Sequence, residues 1–365
     1  MKSIWEKYAA LLLRYSLDLQ SGDTLYVSST TLAVPLLKEV QRLALEMGAH
    51  PEFDIAFEGQ GRRFYDFATD AELQRAPVLY SRAMESFDAY LNIRAPFNLS
   101  AMQGVSPDRL KKRAEALQPW MELYSKRTAS GAMNRTLCQF PTPAAAQMAG
   151  MSLEDYQAFV FDACRLDEPD PVAAWLEVRA QQQHITDYLN ACTRMRYTHQ
   201  DWDIRFSTEG RTWINSDGMA NMPSGEVFTA PVEDSVEGTV FFSYPSIYRG
   251  KEVSGVRLEV QQGYVVQWSA DKGQEVLDEV FAVEGARRFG EAAIGTNYKI
   301  NRITRNILFD EKIGGSIHMA VGQSYYHCGG KNKSSIHWDL ISDMRNGGKI
   351  YADDRLIYEN GAFLI

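Results

Sequence analysis

The strongest chemical signal lies between Gly314 and Leu340, where three of the chain's six histidines fall. Two of them, His318 and His337, stand in short runs typical of β-strands, SIHMAV and SIHWDL. Residues two apart in a strand point to the same face, so His337 and Asp339 would share one face, roughly 6 to 7 Å apart. An imidazole beside a carboxylate suits a divalent cation, and a second imidazole from a neighbouring strand would complete the site.

His318 has a structural alternative, because its neighbours are apolar and a buried histidine could pack among them. The pair of His337 and Asp339 is harder to explain without a bound ion. A carboxylate on the same strand face as an imidazole must be solvated, paired or bound to a cation. The spacing therefore favours a metal site, although structural roles stay open. His327, beside Cys328, is typical of a loop residue.

Three other side chains could add ligands if the site holds more than one metal. Two imidazoles and one carboxylate are enough for a single metal with open positions, but two metals need more. Glu226 lies in a segment flanked by prolines, Glu291 closely follows two arginines, and Tyr325 comes soon after His318. By spacing alone, both glutamates would be surface residues, since glutamate is seldom buried unless paired. The tyrosine would be an amphipathic aromatic at a strand edge.

The first half of the chain alternates helix and strand patterns. Apolar spacing predicts a helix over residues 4–15, and Pro35 and Gly48 bound a second helix over 34–47. Runs typical of strands cover residues 24–28, 51–56, 89–93 and 136–140. This alternation predicts an α/β domain with some parallel strands over residues 1–192, ending after a long helix over 173–189. The segment contains neither GxGxxG nor GxxxxGK[ST], which argues against nucleotide binding.

The second half changes character from Tyr197 onwards. Short alternating runs separated by turns predict an antiparallel meander, with strands over residues 202–206, 239–244, 256–260 and 264–268. Helices are predicted over residues 274–281 and 285–293, and hairpin strands near the C-terminus. We therefore expect an α+β domain over residues 193–365, in which antiparallel strands carry the metal site.

Composition narrows the class of protein. The net charge of −9 argues against nucleic acid as the main partner. Four widely spaced cysteines form no CxxC pair, which predicts no disulfide framework and fits a reducing cytoplasm. The longest apolar stretch near the start, over residues 8–13, is too short for a signal or membrane helix. A soluble, unprocessed protein that does not bind membranes is expected.

Four segments together resemble the signature blocks of a known enzyme family. They are NMPSGEVFTAP, GARRFGEAAIG, LFDEKIGGSIHMAVGQSY and GGKNKSSIHWD. In this order and at close to these spacings, they are similar to the blocks of the metallo-aminopeptidases typified by thermophilic aminopeptidase T. Four blocks in order are more specific than any single block.

The resemblance implies a two-metal site and an exopeptidase reaction. The ligands would be Glu226, Glu291, His318, Tyr325, His337 and Asp339. A water activated by both metals would attack the peptide carbonyl next to a free N-terminus. Glu291 or Glu311 would move the proton to the leaving amine, and Tyr325 would serve as a ligand or donate a hydrogen bond to the oxyanion.

The same resemblance implies further properties. Two divalent ions per chain are expected, with zinc, cobalt or manganese as the metal. The substrates would be short peptides with a free N-terminus, and the enzyme would be a homodimer.

Two other functions remain open from the sequence. His318, His337 and Asp339 alone match the two-histidine, one-carboxylate pattern of a mononuclear non-haem iron(II) ring-cleaving dioxygenase. Glu226, Glu291 and Tyr325 would then have no task. A non-catalytic binding module with structural histidines is the third hypothesis. Metal stoichiometry separates these functions, since they require two metal ions, one iron or none.

Overall fold

The structure of the protein is a computed structural model that describes residues 3–365. The helices are α1 (Ile4–Ala10), α2 (Val34–Glu46), α3 (Gln60–Phe67), α4 (Asp70–Gln74), α5 (Val78–Ser86), α6 (Pro107–Ala129), α7 (Pro143–Met148), α8 (Leu153–Ala163), α9 (Pro171–Asn190), α10 (Gln274–Phe281) and α11 (Ile307–Asp310). The strands are β1 (Thr24–Thr30), β2 (His50–Ala56), β3 (Ala89–Arg94), β4 (Asn134–Gln139), β5 (Arg194–His199), β6 (Trp202–Ser207), β7 (Ile214–Ser216), β8 (Asn221–Met222), β9 (Glu226–Thr229), β10 (Glu237–Phe242), β11 (Ser246–Tyr248), β12 (Lys251–Val253), β13 (Val256–Gln261), β14 (Tyr264–Ser269), β15 (Phe289–Gly295), β16 (Ser316–Gly322), β17 (His337–Asp343), β18 (Lys349–Ala352), β19 (Arg355–Glu359) and β20 (Ala362–Phe363).

The chain forms two compact units that divide within α9. Unit 1 contains the residues up to Ala174 and Gly218–Pro223, and unit 2 contains Trp175–Asp217 and Ser224–Ile365. Most of α9 goes with unit 2, where Gln182 Nε2 donates to Asn215 Oδ1 at 2.6 Å. A boundary after Cys192, as the sequence predicts, would leave the whole helix with the first unit.

Unit 1 is an α/β unit built on a parallel sheet. Its five strands lie in the order β2-β1-β3-β4-β8, and every neighbouring pair is parallel. Helix α2 buries an apolar stripe that includes Leu36, Val40 and Leu43, spaced three or four residues apart as one helix face requires. The predicted α/β class with parallel strands is confirmed for this half of the chain.

Unit 2 is built from antiparallel sheets. An eight-stranded sheet has the order β14-β13-β10-β6-β5-β18-β19-β20, and a five-stranded sheet has the order β17-β16-β15-β9-β7. Both sheets contribute to one apolar core, to which Tyr197 and Phe242 come from the larger sheet and Ile294 and Leu340 from the smaller one. The predicted antiparallel character is therefore confirmed, and α10 has the predicted bounds.

The helix predicted over residues 285–293 is wrong, because the chain forms strand β15 (Phe289–Gly295) there. The strand pairs with β16 on one side and β9 on the other, and all of its residues are buried. A strand that is buried on both faces does not alternate between apolar and polar residues. A segment with two alanines therefore resembles a helix in the sequence. A Cβ on Gly290 would lie 2.3 Å from the Gln323 carbonyl oxygen, so the neighbouring backbone approaches too closely for a side chain.

Two further features concern the cysteines and the hydropathy of the helices. All four cysteines are free, and three of them are buried. In the part of the chain that the structure describes, no helix combines the length and the apolar character needed to cross a membrane.

Candidate metal centre

Three of the predicted metal ligands lie on one face of the five-stranded sheet. Val227, Ile317 and Leu340 point to the opposite face and belong to the apolar core. Because neighbours in a strand alternate, Glu226, His318 and Asp339 point away from that core. Residues that are more than a hundred positions apart in the chain thus meet on one surface of unit 2.

A β-bulge brings Glu291 to this face. The pairing register between β15 and β16 shifts between Phe289 and Glu291. Phe289 packs in the core, although residues two apart in a regular strand share a face. The bulge inserts one residue, and therefore it turns Glu291 towards the other polar side chains.

Small residues make room between the larger ones. Ala320 pairs with Glu291 on one side and with Asp339 on the other, so only a methyl group stands between the two carboxylates. Gly295 pairs with Glu226 and contributes no side chain. The gaps left by these residues allow the carboxylates and imidazoles of neighbouring strands to converge.

Glu291 lies between the two imidazoles. His318 Nε2 is 3.6 Å from Glu291 Oε1 and 3.5 Å from Glu226 Oε2. His337 Nε2 is 3.2 Å from Glu291 Oε2 and 3.6 Å from Asp339 Oδ1. The donor atoms of Glu291, His337 and Asp339 lie within 4.8 Å of one another. The two oxygens of Glu291 therefore face two adjacent groups of donors.

Several of these donor atoms have no partner of their own. Glu226 Oε2, His337 Nε2 and Asp339 Oδ1 are buried and have no hydrogen-bond partner among the described residues. Each buried, unsatisfied polar atom costs about 1 to 3 kcal/mol, and more if it is charged. His337 Nδ1 lies 2.8 Å from the Gln323 carbonyl oxygen, which leaves Nε2 of the neutral ring as a lone-pair donor. This donor set fits divalent cations.

The carboxylates of this cluster strongly favour the positively charged form of the two imidazoles. Burial by itself would lower the pKa of both imidazoles, but the proximity and negative charge of Glu291 raise the pKa of His318 to about 9. Asp339 and Glu291 together outweigh burial and raise the pKa of His337 to about 11. Burial also raises the pKa of Glu226. Protons on the imidazoles balance the carboxylates when no metal is bound, and a cation would replace those protons.

A buried lysine adjoins this group and was not identified from the sequence. Lys312 is fully buried, its ammonium contacts Glu311 Oε1, and its Nζ lies 3.8 Å from Glu226 Oε1. Burial would lower the pKa of Lys312, but the negative charges of Glu226 and Glu311 raise it. Burial raises the pKa of Glu311 to about 8, against the effect of Lys312. In the sequence, Lys312 ends the charged run Asp310-Glu311-Lys312, and such a run usually indicates a solvated surface.

Tyr325 lies at the open side of the group. Its ring centroid is 4.9 Å from that of His337 and 5.4 Å from that of Phe228, and the residue is 37% exposed. Burial of the hydroxyl and the charges of Glu291 and Asp339 raise its pKa, so the hydroxyl stays protonated at neutral pH. His327 lies in a short 3₁₀ turn beside it, is exposed, and contacts the ring of Tyr325.

Comparison with known proteins gives a consistent result. A family model described as thermophilic metalloprotease (M29) matches residues 1–363. Aminopeptidase 2 of Geobacillus stearothermophilus is 31% identical over 347 residues, which cover 88% of this chain and 83% of that protein. Aminopeptidase T of Thermus thermophilus is 28% identical to this chain. The matched region covers 95% of this chain and 95% of that protein.

A solved structure shares the fold. Wild-type AmpT from Thermus thermophilus superimposes with a TM-score of 0.85 at 24% sequence identity, over 99% of each chain. The arrangement of parallel and antiparallel sheets is thus that of a solved protein.

Proposed function

The chain belongs to the thermophilic metalloprotease family M29, and from this premise we propose that it binds two divalent cations and removes N-terminal residues from peptides. Its class of activity is that of a metal-dependent aminopeptidase, a hydrolase. The position of Glu291 is the observation that supports two metals. Its oxygens lie 3.6 and 3.2 Å from the two imidazoles, so one carboxylate can serve two adjacent cations.

We assign the ligands to two sites that share Glu291. Glu226 and His318 belong to one site, and His337 and Asp339 belong to the other. Tyr325, whose ring lies against His337, is assigned to the second site as a ligand or a hydrogen-bond donor. Three carboxylates offset much of the charge of two divalent cations, and the imidazoles restrict their positions.

When bound, the cations would make water a stronger nucleophile at neutral pH and polarise the scissile carbonyl. Glu311 would take a proton from the attacking water at the carboxylate oxygen that Lys312 does not contact, and would pass it to the leaving amine as the C–N bond breaks. The hydroxyl of Tyr325 would donate a hydrogen bond to the carbonyl oxygen. The substrate's free α-amine would dock against a metal ion or a nearby carboxylate, and this contact would require an unblocked N-terminus.

The finer properties are proposals of the same kind. We infer that zinc, cobalt or manganese fills both sites, because nitrogen and oxygen donors suit all three. Short peptides would be the substrates. The family resemblance supports a homodimer, and the free cysteines support a cytoplasmic location.

The first test measures metal content and turnover together. Purified enzyme should contain two divalent ions per chain and should hydrolyse an aminoacyl amide but not its N-acetylated form. His337→Ala and Asp339→Ala should each lose at least one metal ion, and turnover should fall by about a thousandfold or more, since both the metal and its water are affected.

His184→Ala is the matched control, because this histidine is exposed on α9 in the same unit. It should keep both metals and full turnover. Unchanged turnover in His337→Ala, or equal cleavage of the blocked substrate, would refute the proposed function. A single bound iron would instead favour the dioxygenase.

A further inference from the structure

Lys312 is a buried ammonium group held between two carboxylates that have different roles in the proposed function. Glu226 is a proposed metal ligand, whereas Glu311 is the proposed proton carrier. The main chain at Lys312 is hydrogen-bonded on both sides, since its N–H donates to the Phe309 carbonyl at 3.0 Å and its carbonyl accepts from Asn297 N–H at 3.0 Å. The fold therefore fixes the main chain from which this fully buried side chain extends.

Glu311 could compete to become a metal ligand. It is close enough to Glu226 and Asp339 for their charges to act on it, and carboxylate oxygens readily bind divalent cations. Glu311 differs from Glu226 in that one of its oxygens contacts the ammonium directly, whereas the nearest oxygen of Glu226 lies 3.8 Å from Lys312 Nζ. A divalent cation bound at that oxygen would be repelled by the ammonium at short range.

The ammonium also changes the charge of the site. Glu226, Glu291, Glu311 and Asp339 carry four negative charges when ionised, and Lys312 offsets one of them. A buried lysine beside carboxylates costs desolvation energy that a neutral side chain would avoid. A specific role at the metal centre accounts for its presence there.

We propose that Lys312 is a positioning residue that keeps Glu311 out of metal coordination and holds its carboxylate for proton transfer. This inference rests on the proposed two-metal function. Lys312 would act through Glu311 and through the charge of the site, without touching the substrate.

The test compares Lys312→Met, Glu311→Gln and the double variant in zinc affinity and in kcat. Zinc is titrated into the metal-free enzymes in competition with a chromophoric chelator. Lys312→Met should bind zinc about tenfold or more tightly than the wild type, because a nearby positive charge is removed and Glu311 is released. Its kcat should nevertheless fall by about a hundredfold, while KM changes little, because Glu311 is no longer held for proton transfer.

The double variant provides the matched control. It removes one negative and one positive charge, so its zinc affinity should return close to that of the wild type, and its kcat should equal that of Glu311→Gln. Lys312→Arg keeps the charge and should retain wild-type zinc affinity with partial activity. Thermal unfolding of the zinc-loaded forms checks that each variant is folded, and the double and arginine variants stay informative if Lys312→Met does not fold.

Zinc affinity in folded Lys312→Met that is unchanged or weaker would overturn the inference, and so would full activity of that variant. These outcomes leave the proposed function intact, provided that the wild type binds two zinc ions and Glu311→Gln is inactive. A wild-type enzyme that binds no zinc would refute both.

Discussion

The two ring nitrogens of His337 have separate tasks. Nδ1 lies 2.8 Å from the Gln323 carbonyl oxygen, and Nε2 lies 3.2 Å from Glu291. The backbone carbonyl fixes the orientation of the ring, because the donor N–H must point at it. The same ring is a strong base in the metal-free enzyme, since the carboxylates raise its pKa to about 11.

This basicity predicts that metal binding depends on pH. At pH 7 the metal-free enzyme carries protons on both imidazoles, because the pKa of His318 is raised to about 9 and that of His337 to about 11. A cation must displace these protons, so zinc affinity should rise as the pH rises from 6 to 9, by about tenfold per pH unit for each proton released. Chelator competition at each pH measures the affinity, and calorimetry in buffers of different ionisation enthalpy measures the protons released.

His337→Ala has one titrating imidazole fewer, so its zinc affinity should depend less steeply on pH. Affinity that does not change with pH, together with no proton release, would show that the imidazoles are neutral before the metal binds.

At the scale of elements, a partly buried ion pair anchors the loop between β16 and β17. Arg211 is 5% exposed in its side chain, contacts the Gly329 carbonyl, and lies 2.5 Å from Glu233 Oε2. Glu233 Oε1 accepts a hydrogen bond from Lys331 N–H at 2.6 Å. Both contacts hold the loop a few residues after Tyr325, so the pair restrains the segment that carries this ring.

Removing the arginine should therefore loosen the loop. Arg211→Ala leaves Glu233 unpaired in partly buried surroundings and should lower the free energy of unfolding by about 3 kcal/mol. Hydrogen exchange of residues 325–331 should rise, and kcat should fall by about tenfold as Tyr325 loses its fixed position.

The matched control is Arg257→Ala, which removes an exposed pair with Asp201 in the same unit. It should cost about 1 kcal/mol or less and leave the exchange of the loop unchanged. Equal exchange in Arg211→Ala and the wild type would show that the loop is held by other contacts.

For the whole molecule, the proposed ligands all belong to unit 2, whereas unit 1 contributes none of them. Bound metal stabilises only the part of the chain that it contacts, by about 2.7 kcal/mol at a hundredfold excess of free metal over Kd. Without metal, the imidazoles and Lys312 supply the positive charge that offsets the buried carboxylates of unit 2. The units should therefore respond differently to chelation.

We expect EDTA to increase hydrogen exchange in β9 and β15–β17 and to leave exchange in β1–β4 nearly unchanged. Asp339→Ala, which should already have lost metal, serves as the control and should respond less to EDTA. A similar increase in both units would contradict the assignment of metal to unit 2 alone.

Local sequence patterns were sufficient to predict much of the secondary structure. Proline, glycine and apolar spacing identified α2 between Pro35 and Gly48, and alternation identified most of the strands. A strand period of two also brought His337 and Asp339 onto one face, and their atoms do approach to 3.6 Å. These predictions succeeded because each depends on residues that are close together in the chain.

Glu291 and Lys312 show where local patterns fail. The segment around Glu291 reads as a helix, but pairing with β9 and β16 makes it a strand, and a bulge decides which face the carboxylate joins. Spacing alone also makes Glu226 a surface residue, whereas it is buried beside His318.

The sequence by itself determined the types of donor, the period that orients them and the family resemblance. Only the tertiary structure decided that four strands and a buried lysine meet at one place, because strand pairing and burial depend on residues far apart in the chain.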